Sequence, residues 1–111
     1  MNTLDEHQVL KGLADPTRLR IVMLLTTGEL CVCDLTEVLG LPQSTVSRHM
    51  ATLKSAGIVT DRRDGKWVHY RLGGHPLLAG MSGVLETLSS AEPYVSDGER
   101  LGSHKKGGAC H

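Results

Sequence analysis

A chain of 111 residues with no net charge and only three aromatic side chains forms one small domain with limited capacity to bury a core of its own. No apolar run approaches the roughly 20 residues that a membrane span needs, and the opening MNTLDEHQ lacks signal-peptide character. Three cysteines without framework spacing exclude a disulfide-stapled scaffold and point to a cytoplasmic protein with reduced thiols.

The neutral total conceals an uneven distribution. Residues 1–42 carry three Lys/Arg and six Asp/Glu, a net −3. Residues 43–71 carry six and two, a net +4, and residues 72–111 carry three and four, a net −1. A local basic surplus lets one surface face phosphates without making the whole chain basic.

In chain order, Leu4, Val9, Leu10, Leu13 and Ala14 predict a first helix over residues 4–14. Asp15-Pro16 is a start signal, with Asp as N-cap and Pro at the first helical position. The apolar helix that follows runs to about Thr26 and stops at Gly28. A short helix is expected from Val32 to Leu39, a tight turn at Gly40-Leu41-Pro42, and a helix from Gln43 to Ala56 ended by Gly57. In that helix Val46, Met50 and Leu53 share one face. Ser44, Thr45, Arg48 and Thr52 lie broadly opposite, with His49 on the flank. Helix, three-residue turn, helix, with a polar outer face on the second, is a helix-turn-helix. Residues 58–63 and 66–71 read as two strands joined at Asp64-Gly65, with basic residues flanking the tip. From Pro76, the residues Leu77, Met81, Val84, Leu85 and Leu88 recur at helical spacing and present a face able to pack on another chain. Gly80 and Gly83 weaken that helix.

The expected fold class is mainly α with a two-stranded β-hairpin, a dimeric winged helix-turn-helix. The DNA-binding and dimerisation domain takes residues 1–91, and residues 92–111, polar and Gly-rich without period, form a flexible tail.

The segment Glu29-Leu30-Cys31-Val32-Cys33-Asp34-Leu35 carries the ligand chemistry. Thiolates are soft ligands, and a close pair suits a thiophilic ion. Residues two apart on a regular helix are about 200° apart and cannot converge on one atom. At a helix start they can. Cys31 stands where an N-cap normally stands, with Asp34 at the third helical position as in a capping box. Closing both sulfurs on one ion then unwinds the first turn of the helix that positions the recognition helix. The helix N-terminus favours thiolate, while Glu29 and Asp34 oppose it. Cys110 is a further candidate ligand, within reach on a tail that spans up to about 65 Å when extended.

The stretches LADPTRLRIV, ELCVCDL, STVSRHMATLKSAGIV and DRRDGKWVHYRL together resemble the arsenic- and metal-responsive repressors of the ArsR/SmtB family, over about residues 5–90. The resemblance implies a homodimeric repressor that leaves double-stranded operator DNA on binding its ligand. ELCVCDL is similar to the arsenite-responsive branch, in which the two cysteines bind trivalent arsenic or antimony. It implies arsenite or antimonite as inducer, and no organic cofactor. Where some members place a third cysteine, this chain has Thr36, so the local site offers two thiolates. Residues 76–91 contain neither Asp nor His, so the dimer-helix zinc site of the wider family is not expected. Cadmium, lead, zinc or thiol oxidation are the alternative signals. Four-coordinate zinc needs more than two sulfurs.

For DNA, Arg48 is the candidate for a guanine edge. Ser44 and Thr45 face out beside it near the front of the recognition helix. Gln43 and His49 are candidates for a base or a phosphate, and Ser47 for a phosphate. Arg62, Arg63 and Lys66 on the wing are placed for phosphate or the minor groove. No nucleophile–base–orienter set and no phosphate loop is present, so no enzyme is expected.

Overall fold

Helix α1 spans Thr3–Leu13 and α2 Pro16–Leu25. The start signal between them works as a cap: the Arg18 N–H donates to Asp15 Oδ2 at 2.9 Å. That bond chiefly holds the Asp15 carboxyl below its usual range. The computed structural model describes residues 3–107, so Cys110 lies outside the described residues.

Residues Leu30–Cys31 form β1, followed at once by α3 over Val32–Leu39. Gly40 ends α3 in the left-handed region, at φ 67°, where a side chain is strained. That residue and Leu41-Pro42 turn the chain into α4, Gln43–Ser55. Val46, Met50 and Leu53 are fully buried, as their spacing predicts. They meet Val9 of α1, Ile21 of α2 and Leu35 of α3 in one core.

The wing is β2, Val59–Asp64, paired antiparallel with β3, Trp67–Leu72. Asp64 pairs with Trp67, so the two turn residues are Gly65 and Lys66 rather than Asp64 and Gly65. Gly65 supplies the positive φ, 62°, that a tight hairpin needs. The sheet has three strands, in the order β1-β3-β2. The third was missed because two residues show no alternation. Its pairing sets Cys31 opposite His69. His69 is buried.

After the wing, one helix becomes two: α5 at Pro76–Gly80 and α6 at Ser82–Leu88, broken at Met81 between the weakening glycines. Leu78 and Leu85 turn inward, while Val84 is 53% exposed.

The larger correction is the tail. Residues Tyr94–Lys106 form a helix, α7, packed on α2 and α3. Gly98, Gly102 and a sparse apolar pattern hid it. Its anchors are polar and remote in sequence. Asp97 is buried and accepts two bonds from Arg20, at 2.8 Å each, and one from Arg100. Leu101 joins the core. No helix among the described residues is long and apolar enough to cross a membrane.

The Asp97 cluster yields a stability prediction. Asp97→Ala removes the acceptor from two cations, one of them 21% and the other 49% exposed. Part-exposed arginines recover some hydration, so the cost sits near the lower end for a broken buried pair, about 3 kcal/mol. Urea denaturation reads it directly. A loss under about 1 kcal/mol, the range of a surface pair, contradicts this placement.

Candidate DNA-reading face and thiol site

The two candidate sites adjoin. Cys31 is the N-cap of α3, with extended backbone at φ −77° and ψ 151°. Its Sγ accepts from the Cys33 N–H at 3.4 Å, and its own N–H donates to Asp34 Oδ2 at 3.1 Å. The capping box expected from sequence is present, with sulfur in place of the usual oxygen. Cys31 is a free, buried thiol. Among the described residues, no group of three or more His, Cys, Asp or Glu is placed to hold a metal ion.

A cleft of about 450 Å³ opens beside this turn. Cys31, Cys33 and Thr36 line one wall, Gln43 and Ser47 of α4 a second, and Lys66 and Trp67 of the wing a third. Trp67, given no role from sequence, lies under the Lys66 ammonium, 5.3 Å from ring centroid to Nζ. Sequence spacing joined the sulfurs to the recognition helix only through the body of α3. The cleft brings them together directly.

On α4, Gln43, Ser44, Ser47 and Arg48 are exposed, and Thr45 is half-buried. His49 is also half-buried, with Nδ1 3.3 Å from Arg18 Nη1. Arg18 is itself held by the Gly12 carbonyl at 2.7 Å. His49 therefore engages the α1–α2 corner, a contact its flank position did not reveal. The wing cations also divide. Arg63 and Lys66 are exposed. Arg62 is clamped by Glu29, with Nε and Nη2 both donating to Oε1 at 2.9 and 2.7 Å. These hydrogen bonds, with the opposite charges behind them, hold the Glu29 carboxyl below its usual range and raise Arg62. Arg62 was expected to be open to phosphate. Glu29, in the loop ahead of β1, competes with phosphate for its still exposed side chain.

A recognition helix with an exposed polar front, a buried apolar back and a flanking basic hairpin defines a winged helix-turn-helix DNA-binding protein. Residues 15–61 match the model of the bacterial regulatory protein arsR family. The arsenical resistance operon repressor of Escherichia coli K12 is 56% identical over 76 residues, 68% of this chain and 65% of that protein. The chain thus spans just under two thirds of that relative's length. The arsenical resistance operon repressor of Staphylococcus xylosus is 39% identical over 76% of this chain and 80% of its own. Among solved structures, the homodimeric winged helix-turn-helix DNA-binding domain of Mycobacterium bovis superposes with a TM-score of 0.66. It is 34% identical and covers 79% of this chain and 85% of that one. The chain belongs to the arsR family of bacterial regulatory proteins.

The Glu29–Arg62 clamp gives a test of the wing. Glu29→Gln removes the charge that holds Arg62 and should free one cation for phosphate. DNA binding should tighten at low salt, and the slope of log K against log[salt] should steepen by about 0.9. An unchanged slope would mean that Arg62 does not face DNA even when released.

Proposed function

We propose that this chain is a homodimeric transcriptional repressor that trivalent arsenic or antimony releases from operator DNA by closing on Cys31 and Cys33. The observation that carries the reading is the shared cleft, whose walls are the two-sulfur turn, the front of α4 and the wing tip. Arsenical resistance repressors among the relatives support the same inducer.

The reaction belongs to the dithiol form. Arsenous acid, As(OH)3, exchanges two hydroxyls for two sulfurs. Two As–S bonds form, the thiol protons leave with the hydroxyls as two waters, and arsenic stays trivalent. Cys33 lies in the first turn of α3 and Cys31 just before it. Drawing both sulfurs to one atom breaks the Cys33 N–H to Cys31 Sγ bond and strains the cap. The turn then moves against Gln43 and Ser47, which share its cleft. Cys110 is a candidate third ligand, and Cys110→Ser tests it.

On DNA, Arg48 reads a guanine edge in the major groove, with Gln43, Ser44 and Thr45 beside it. Ser47, Arg63 and Lys66 meet phosphates. Exposed Leu10 of α1 and Val84 of α6 supply apolar surface for a partner subunit. Such a regulator works in the cytoplasm and is not an enzyme. A second reading, in which thiol oxidation is the releasing signal, rests on the same two sulfurs at the start of α3.

Two experiments test this function. Arg48→Ala should weaken operator binding by about 1–3 kcal/mol and relax one base preference, measured by anisotropy on variant duplexes. Parental affinity would remove Arg48 from the reading face. Separately, the reduced protein on its own upstream DNA is titrated with arsenite, antimonite, cadmium and a mild thiol oxidant. Cys31→Ser and Cys33→Ser should each keep operator affinity, since serine caps a helix well, and lose release by arsenite. Release that survives in Cys33→Ser contradicts the two-sulfur site. Release by oxidant alone selects the second reading.

A further inference from the structure

We infer that His104 of α7 is a positioning residue for the thiol site, and that docking of α7 sets the inducer concentration at which the protein lets go of DNA. This rests on the metalloid reading above. The contact is built from buried parts. Asp34 is 4% exposed and divides its carboxylate between two partners. Oδ2 accepts the Cys31 N–H at 3.1 Å, and Oδ1 accepts from His104 Nε2 at 2.8 Å. One acidic side chain thus joins the cap of the two-sulfur turn to a helix 70 residues away.

Helix α7 grips α3 at both ends. Besides His104 on Asp34, Arg100 Nε donates to the Val38 carbonyl at 3.1 Å. Arg100 and Arg20 both bind Asp97, which ties the same helix to α2. With α7 docked, the first turn of α3 is held wound from outside as well as by its own cap. Any ligand that unwinds the turn must displace the Asp34 carboxylate from the Cys31 N–H, and so works against the His104 bond. Two events that oppose each other through one group are reciprocally linked. Docking of α7 weakens inducer binding, and inducer binding loosens α7.

The linkage makes an unusual demand: removing a native bond should make the sensor more sensitive. His104→Ala, in the reduced full-length protein on labelled upstream DNA, should reach half-release at about tenfold lower arsenite, the size expected for a lost charged hydrogen bond. Operator affinity without arsenite should stay near the parent's. His104→Gln, which can still donate to Asp34, should keep the parental release curve. A purely stabilising role for His104 predicts no such split between sensitivity and operator affinity. In the parent protein, the His104 imidazole resonances should move as arsenite binds stoichiometrically. Fixed resonances overturn the inference whatever the variants do. So does half-release of His104→Ala at the parental arsenite concentration, or a Gln variant that shifts as far as Ala. A parent that arsenite never releases fails the metalloid reading itself. A parent that releases normally, with an unshifted His104→Ala, fails only this one.

Discussion

The Asp34 carboxylate is the constraint on which the rest of this molecule turns. Buried acids are rare without partners, and this one has two of different kind. Toward β1 it closes the cap that starts α3 at Cys31. Toward α7 it accepts from His104. The start of α3 fixes where Cys33 and Thr36 face, and α3 with its glycine turn sets the angle of α4. An oxygen N-cap forms a stronger bond than sulfur at 3.4 Å. Cysteine at this position gives up some helix stability and gains a soft ligand at the place where a helix most readily yields.

Charge on the reading face is apportioned rather than simply accumulated. The segment 43–71 is basic as a whole, yet its cations have separate roles. Arg48 is exposed on the front of α4, and Lys66 stands over Trp67 at the wing tip. Arg62 is neutralised by Glu29, a residue of the acidic N-terminal third. Glu29 also begins the ELCVCDL stretch. The loop that leads into the thiols therefore holds a wing cation, and movement of that loop acts on the wing as well as on α4.

Local signals were legible in the sequence, and remote ones were not. Asp15-Pro16, the 46/50/53 stripe and Gly40 each act within a few residues, and each was readable. The capping box at Cys31 and Asp34 was readable for the same reason. Strand β1 escaped because two residues carry no period, and only its pairing to Tyr70 and His69 defines it. Helix α7 escaped because its stability comes from Arg20, 77 residues before Asp97, and not from an apolar stripe. At the site, exposure of Arg48 followed from helical phase. The capture of Arg62 by Glu29 and of His49 by Arg18 depends on which chain segments meet in space. Trp67 and the cleft have the same origin.

In the proposed mechanism the first turn of α3 is the moving part. Amide hydrogen exchange on the reduced protein, with and without one equivalent of arsenite, tests it most directly. The Cys31 and Cys33 amides are protected by Asp34 and by the Cys31 sulfur. Arsenite should accelerate exchange at both, and the amides of α7 around His104 should follow. Unchanged protection at Cys31 and Cys33 in protein saturated with arsenite and released from DNA would contradict it.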